Sequence, residues 1–252
     1  MTDGLIDIDT ARALVEAAAN DADGRGAREG VCKALAATFR MAGERLWAGG
    51  YILGTDRRDG RSPFGFGSDA TVGLAVVMQV AGELMSGTIE LLAHGNLYGA
   101  AALLRQLVEA EYLTWAFAED EQEATMWMRS SRSERLRMWQ PRHLLTRSGG
   151  RFRATDYHGH CERGGHPTPD ATMLLPGHGR YQSPELWRLD LAEHGVSAWR
   201  YAMDAAQRLG YQDWVQSASD EHGLPDAIVC WEKRDSLRSV ARETRADLSA
   251  GA

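Results

Sequence analysis

The segment YHGHCERGGHPTP, residues 157–169, gathers His158, His160, Cys161, Glu162 and His166 within nine residues of a chain that has eight histidines in all. Imidazole, thiol and carboxylate are the side chains that move protons near neutral pH and that ligate zinc or iron. A metal centre needs three or four of them converging at about 2.0–2.3 Å. H-x-H-C with a further histidine five residues on matches no familiar zinc-finger spacing, so three readings stand side by side. One is a turn shaped by Gly164-Gly165, Pro167 and Pro169, with the histidines hydrogen-bonding it to the rest of the molecule. The second is catalysis or ligand binding without a metal. The third is a metal-dependent hydrolase built on His158, His160, Glu162 and His166 with Glu109.

An arginine that grips a phosphate and an imidazole near neutrality can together cleave RNA. The histidine assists proton transfer at the 2′-hydroxyl, and the arginine stabilises the charge that develops on phosphorus. Arg153-x-x-x-x-His158 supplies such a pair. It ends a tract of eight arginines (129, 132, 135, 137, 142, 147, 151 and 153) opposed by the single acid Glu134. The tract carries +7 in a chain of net charge −7, leaving −14 elsewhere. The acidic total argues against a protein that coats nucleic acid, while the tract marks one place where phosphate would be attracted. Trp127, just before it, and Trp139, inside it, offer either stacking faces or core packing.

Arg105 and Glu109 stand four apart and share a helix face whose neighbours Ala101, Leu104, Val108 and Tyr112 are apolar. An exposed pair at this spacing contributes only about 0.2–0.5 kcal/mol, whereas a partly buried one must be well partnered. It is therefore either an ion pair pinning two helices or part of a site. Gln79, Glu83, Ser86, Glu90 and His94 form a stripe on the preceding helix that reads as a solvated face.

The elements that position these groups are helical throughout. No segment alternates with period two, so an all-α bundle is expected. Ala11–Ala19 and Gly30–Trp47 read as helices separated by a turn at 20–26, and the breaker-rich DGRSPFGFGSD, 59–69, reads as a loop. Thr71–Ala93 and Leu97–Ala118 form an antiparallel hairpin around Gly95-Asn96. Asp120 with Glu123 starts a helix expected to run to about Gln140 and to stop at Pro141. Residues 163–184 read as a long loop, and Ser183-Pro184-Glu185 opens the next helix. Along that helix Leu189, Ala192, Val196, Trp199, Met203 and Ala206 form a seam for a bundle or a second subunit. A last helix is expected over about Asp226–Arg242, with a loose tail at 246–252.

The P-loop, the G-x-S-x-G elbow, H-E-x-x-H and the dinucleotide fingerprint are absent, which removes the commonest enzyme signatures. Three scattered cysteines, Cys32, Cys161 and Cys230, fit free thiols in a reducing cytoplasm. The first ten residues, with three Asp and no Lys or Arg, do not read as a secretory signal. The most apolar window, 70–82, is followed by Glu83, and no membrane span is expected.

The order of these features resembles an uncharacterised bacterial family with a HEPN-like helical fold. It runs from the hairpin with Arg105-x-x-x-Glu109 and Tyr112, through the helix with Trp127 and Trp139, to Tyr157, Cys161-Glu162 and His166-Pro167. The resemblance spans about Thr71–Gly210. It implies a bundle of four to five core helices, frequent dimerisation and, in many members, a metal-independent ribonuclease with an arginine and a histidine spaced as Arg153 and His158 are. The expected organisation is an N-terminal helical segment and loop (1–64), a HEPN-like core (65–217), and a C-terminal helix with tail (218–252). The leading expectation is a protein that binds or cleaves RNA, or binds a nucleotide, with no metal or other cofactor. Arg153, His158 and Glu162 would be catalytic, and Arg105, Glu109, Tyr157, Cys161 and His166 would bind. A non-catalytic dimeric interaction protein and the metal-dependent hydrolase are the alternatives.

Overall fold

Apolar residues recurring at helical spacing along almost the whole chain leave no material for a sheet, and the computed structural model is all-α. It describes residues 8–53, 68–177 and 182–241, and no strand occurs among them. The helices are α1 (Ile8–Asn20), α2 (Ala22–Leu53), α3 (Asp69–Ala93), α4 (Leu97–Glu119), α5 (Glu121–Arg129), α6 (Arg132–Met138), α7 (Pro141–Arg147), α8 (Ala154–His160), α9 (Pro184–Arg208), α10 (Gln212–Glu221) and α11 (Leu224–Arg234). A π-helical turn, Cys161–Gly165, continues α8, and a 3-10 turn covers Pro169–Leu174. The tract from 59 to 67, residues 1–7 and the tail at 246–252 lie outside the described residues.

α2, α3, α4 and α9 form the bundle; α10 and α11 pack on α2, α5 packs on α3, and α7, α8 and the π turn lie along α4. α3 is at the centre. Leu74, Met78 and Met85 are fully buried, each worth about 1.5–3 kcal/mol relative to exposure. By length and composition this helix could cross a bilayer, but most of it is buried inside the bundle. α2 comes close to it because Gly82 has no side chain: a Cβ there would stand 2.6 Å from Arg40 Cγ and 3.1 Å from the Ala36 carbonyl. The α9 seam is used within the chain. Leu189, Ala192, Val196, Trp199 and Ala206 are all buried, and Trp199 meets Phe39 of α2 edge-on at 5.5 Å.

The hairpin α3–α4 forms as the sequence indicates. Gly95 takes the left-handed conformation (φ 71°), and Asn96 then caps α4 by accepting from Gly99 N at 2.9 Å. The helix expected from Asp120 to Gln140 is instead two. Ser131 and Glu134 make a capping box, each accepting from the other's backbone N–H, and this restarts the chain as α6. Pro141 does more than stop a helix, since it occupies the first turn of α7. Asp235 interrupts the last helix after Arg234, and helix resumes over 236–241. Of the segment 157–169, read as a possible turn shaped by Gly164-Gly165, Pro167 and Pro169, residues 157–165 are helical, in α8 and the π turn.

Candidate functional site

α8 is seven residues long and has two working faces. Tyr157 and Cys161, one turn apart, face α4. There Arg105 Nη2 donates to the Tyr157 hydroxyl (3.1 Å) and Arg105 Nε to Cys161 Sγ (3.4 Å). The Tyr157 hydroxyl in turn donates to Glu109 Oε1 (3.0 Å), which pairs with Arg105 at 2.7 Å. Burial first, and then the charge of Glu109, push the Tyr157 phenol up from its ordinary value, so it stays protonated and donates. What brings the π turn against α4 is Gly164: a Cβ there would lie 2.5 Å from the backbone carbon of Ala101. Helix packing therefore joins the Arg105–Glu109 pair to the histidine-bearing segment, 52 residues further on in the case of Tyr157.

The other face of α8 carries Asp156 and His160, again one turn apart, and looks toward α9, which presents Asp190 and His194 at the same spacing. The two imidazoles meet through their Nε2 atoms at 3.3 Å. Asp190 lies 3.5 Å from His160 Nε2 and 3.7 Å from His194 Nε2, and Asp156 lies 3.6 Å from His194 Nε2 and 4.0 Å from His160 Nε2. Behind His194, Nδ1 donates to Glu111 Oε2 of α4 at 2.6 Å, and the Ser197 hydroxyl donates to the other oxygen of Glu111. Both histidines are largely buried; the His160 and His194 side chains are 5% and 12% exposed.

Burial opposes a charged imidazole in both, with different outcomes. At His194 the carboxylates of Glu111, Asp190 and Asp156 outweigh it and hold the pKa up to about 10. At His160 burial prevails, helped by the neighbouring His194 and Arg163, and the pKa falls below the usual value. A protonated His194 thus donates to a neutral His160, and three carboxylates surround this one cation. The cluster as it stands is rich in negative charge, and ligand atoms of Asp156, His160 and His194 all lie within 4.8 Å of one another. It opens onto a cavity of about 300 Å3, whose wall includes Asp156, His160, Asp190, Arg163 and Trp187.

Of the residues singled out from sequence, Arg105, Glu109, Tyr157 and Cys161 come together. Arg153, His158, Glu162 and His166 are exposed, and none makes a side-chain hydrogen bond or ion pair among the described residues. Arg153 stands just before α8 in extended conformation. Much of the arginine tract is engaged internally. Arg129 pairs with Asp69 at 2.6 Å, Arg147 with Glu123 at 2.5 Å, and Arg151 with Glu119 at 3.9 Å. Trp139 is core, its Nε1 donating to Glu123 at 2.7 Å, and Trp127 is half-buried against Phe117. The sequence reading passes over Glu111, Asp156, Asp190, His194 and Ser197. A signal did exist, because D-x-x-x-H occurs twice, at 156–160 and 190–194, each placing an aspartate and a histidine on one helix face.

Comparison of the chain with protein-family models, with curated proteins and with solved structures returned no match.

Proposed function

We propose that the chain is a metal-dependent hydrolase holding a divalent transition-metal ion of zinc character between Asp156, His160 and His194. The observation that carries this reading is the 3.3 Å separation of the two Nε2 atoms. Two nitrogens each about 2.0–2.1 Å from a tetrahedral zinc ion stand roughly 3.3–3.4 Å apart, which is the spacing of this pair. Glu111 behind His194 Nδ1 adds support. A carboxylate in that position fixes the tautomer, turns Nε2 toward the metal and raises its basicity. The negative charge of three carboxylates is a third support, since a divalent ion offsets it and releases the proton held on His194.

Three protein ligands leave a position for water, whose pKa on zinc falls to about 7. Asp190, 3.5 and 3.7 Å from the two Nε2 atoms, would be the base for a water held on such an ion. Substrate enters from the adjoining cavity. In isothermal titration the protein takes up one equivalent of Zn2+, and His160→Ala and His194→Ala abolish uptake while keeping the helical circular-dichroism spectrum. Asp190→Asn keeps the ion but loses metal-dependent hydrolysis of p-nitrophenyl acetate. Equal zinc uptake by the two histidine variants would remove the assignment.

The metal-free ribonuclease reading on Arg153 and His158 draws less support. Both side chains are exposed without side-chain partners among the described residues, and three arginines of the tract are neutralised by Asp69, Glu123 and Glu119. A homodimer would have to use a surface other than the α9 seam. The three unpaired cysteines accord with a cytoplasmic setting.

A further inference from the structure

Two elements from the ends of the described chain complete the wall of the cavity beside the His/Asp cluster. Val15 comes from α1 and Ala241 from the short helix 236–241, while the rest of the wall comes from α8, its π turn and the chain from Gln182 to Asp190. Both elements are anchored narrowly. Of residues 12–20 only Ala18 and Ala19, at the end of α1, are buried, whereas Arg12, Ala13, Leu14, Glu16 and Ala17 are exposed. Within 236–241 only Leu237 is buried. One side chain reaches both elements. Arg28 of α2, fully buried, donates from Nη2 to the Ala19 carbonyl at 3.3 Å and from Nη1 to Asp235 Oδ1 at 2.6 Å. Asp235 in turn accepts from Leu237 N at 3.1 Å and so caps the start of 236–241. The same guanidinium stands 3.2 Å from Glu185 at the head of α9, so three of the elements around the cavity meet at one point. Its Nε has no hydrogen-bond partner among the described residues, and a buried charge so incompletely satisfied makes the fastening costly to close.

We infer that α1 and 236–241 form a strap over this cavity, latched by Arg28 to Ala19 and Asp235, that swings aside to admit a ligand. With the strap in place the cavity holds about 300 Å3, the lower limit of ligand sites, which run to roughly 1,000 Å3. A larger molecule enters only when the latch opens. α1 then moves as a lever about its buried end, next to the junction with α2, and 236–241 moves about Asp235. Opening breaks the Arg28 contacts and leaves the ladders of α3 and α4 whole, so it is a local event. As control of substrate entry the strap rests on the metal reading above; as a movable wall it stands on the cavity alone.

The test is run on the full chain without metal, so that its outcome is separate from that of zinc uptake. Gly159 lines the cavity and an added Cβ there meets nothing within 4 Å, so Gly159→Cys sets a thiol at the wall. Its alkylation is followed by peptide mass mapping, which separates it from Cys32, Cys161 and Cys230. The probes are N-methylmaleimide, which is small, and fluorescein maleimide, which is bulky and reacts by the same chemistry. Asp235→Asn, added to that chain, keeps the shape of the latch and removes its charge. It raises the rate with the bulky maleimide about tenfold and leaves the rate with the small one unchanged. Hydrogen exchange read by mass spectrometry quickens at 12–20 and 236–241 together, and not in α3. Should Asp235→Asn fail to fold, Gly24→Ala loosens the same place with the charges intact, its Cβ 2.9 Å from Asp21 Oδ2 and 3.3 Å from Asp235 Oδ1. Faster exchange at both segments with an unchanged ratio of the two maleimide rates overturns the inference. Exchange that stays as it was, or that quickens equally in α3, overturns it as well.

Discussion

His160 and His194 face one another through their Nε2 atoms at 3.3 Å, from two helices that each carry an aspartate one turn earlier. The pair draws its orientation from Glu111, which lies on neither helix, so the cluster unites α4, α8 and α9.

Glu111→Gln tests that orientation without touching a ligand. The amide keeps the shape but loses the charge that holds the Nδ1 proton of His194. Zinc affinity falls about 10–100-fold, read by competition with a chromophoric chelator. An unchanged affinity would show that Glu111 has no hold on the ion.

On the metal reading, metal removal is expected to lower stability, because the unfolded chain offers no preformed site for the ion. At a free zinc concentration a hundred times the dissociation constant the gain is about 2.7 kcal/mol. For a chain of this size that raises Tm by roughly 5–10 °C over the EDTA-treated protein. His194→Ala shows no such difference in calorimetry.

Gly164→Ala acts on both faces of α8 at once. The added methyl meets the Ala101 backbone, which has no flexible end to swing away. The π turn lifts from α4 at a cost of about 1–3 kcal/mol, read as a lower urea midpoint with an unchanged slope. Zinc affinity falls with it, whereas Gly159→Ala, where a Cβ meets nothing within 4 Å, leaves both unchanged.

Arg28 and Asp235 form a fully buried ion pair at 2.6 Å, joining α2 to the end of α11. Arg28→Met strands the Asp235 carboxylate and costs about 3–5 kcal/mol in chemical denaturation. The double change Arg28→Met with Asp235→Leu recovers only part of the loss, because Glu185 still loses Arg28 at 3.2 Å and the buried Trp231 indole N–H loses its acceptor on Asp235.

The all-α class and the α3–α4 hairpin were legible because helical periodicity and the Gly95-Asn96 junction pointed the same way. The Arg105–Glu109 pair was legible as a partly buried pair in need of partners, and Tyr157 and Cys161 are those partners. α8 was not, since Gly159, Gly164 and Gly165 weaken any helix by propensity. Tertiary contacts on two faces override that preference. His194 and Asp190 were hidden by their surroundings: interleaved with Leu189, Ala192 and Val196, they sit on a helix whose apolar seam accounts for it as packing. The break at Ser130-Ser131 escaped because the start signal at Asp120 and the stop at Pro141 bracket it, while the capping box that causes it depends on Ser131 and Glu134 alone.

A helix of seven residues does not persist by itself in water, where about twelve to fifteen are needed even for favourable sequences. α8 is therefore borrowed order, held from outside by α4 on one flank and α9 on the other. An ion gripped by Asp156 and His160 against His194 would act there as a rivet. It would fasten a piece of the molecule that cannot stand alone, so that occupancy of the centre and local rigidity would rise and fall together.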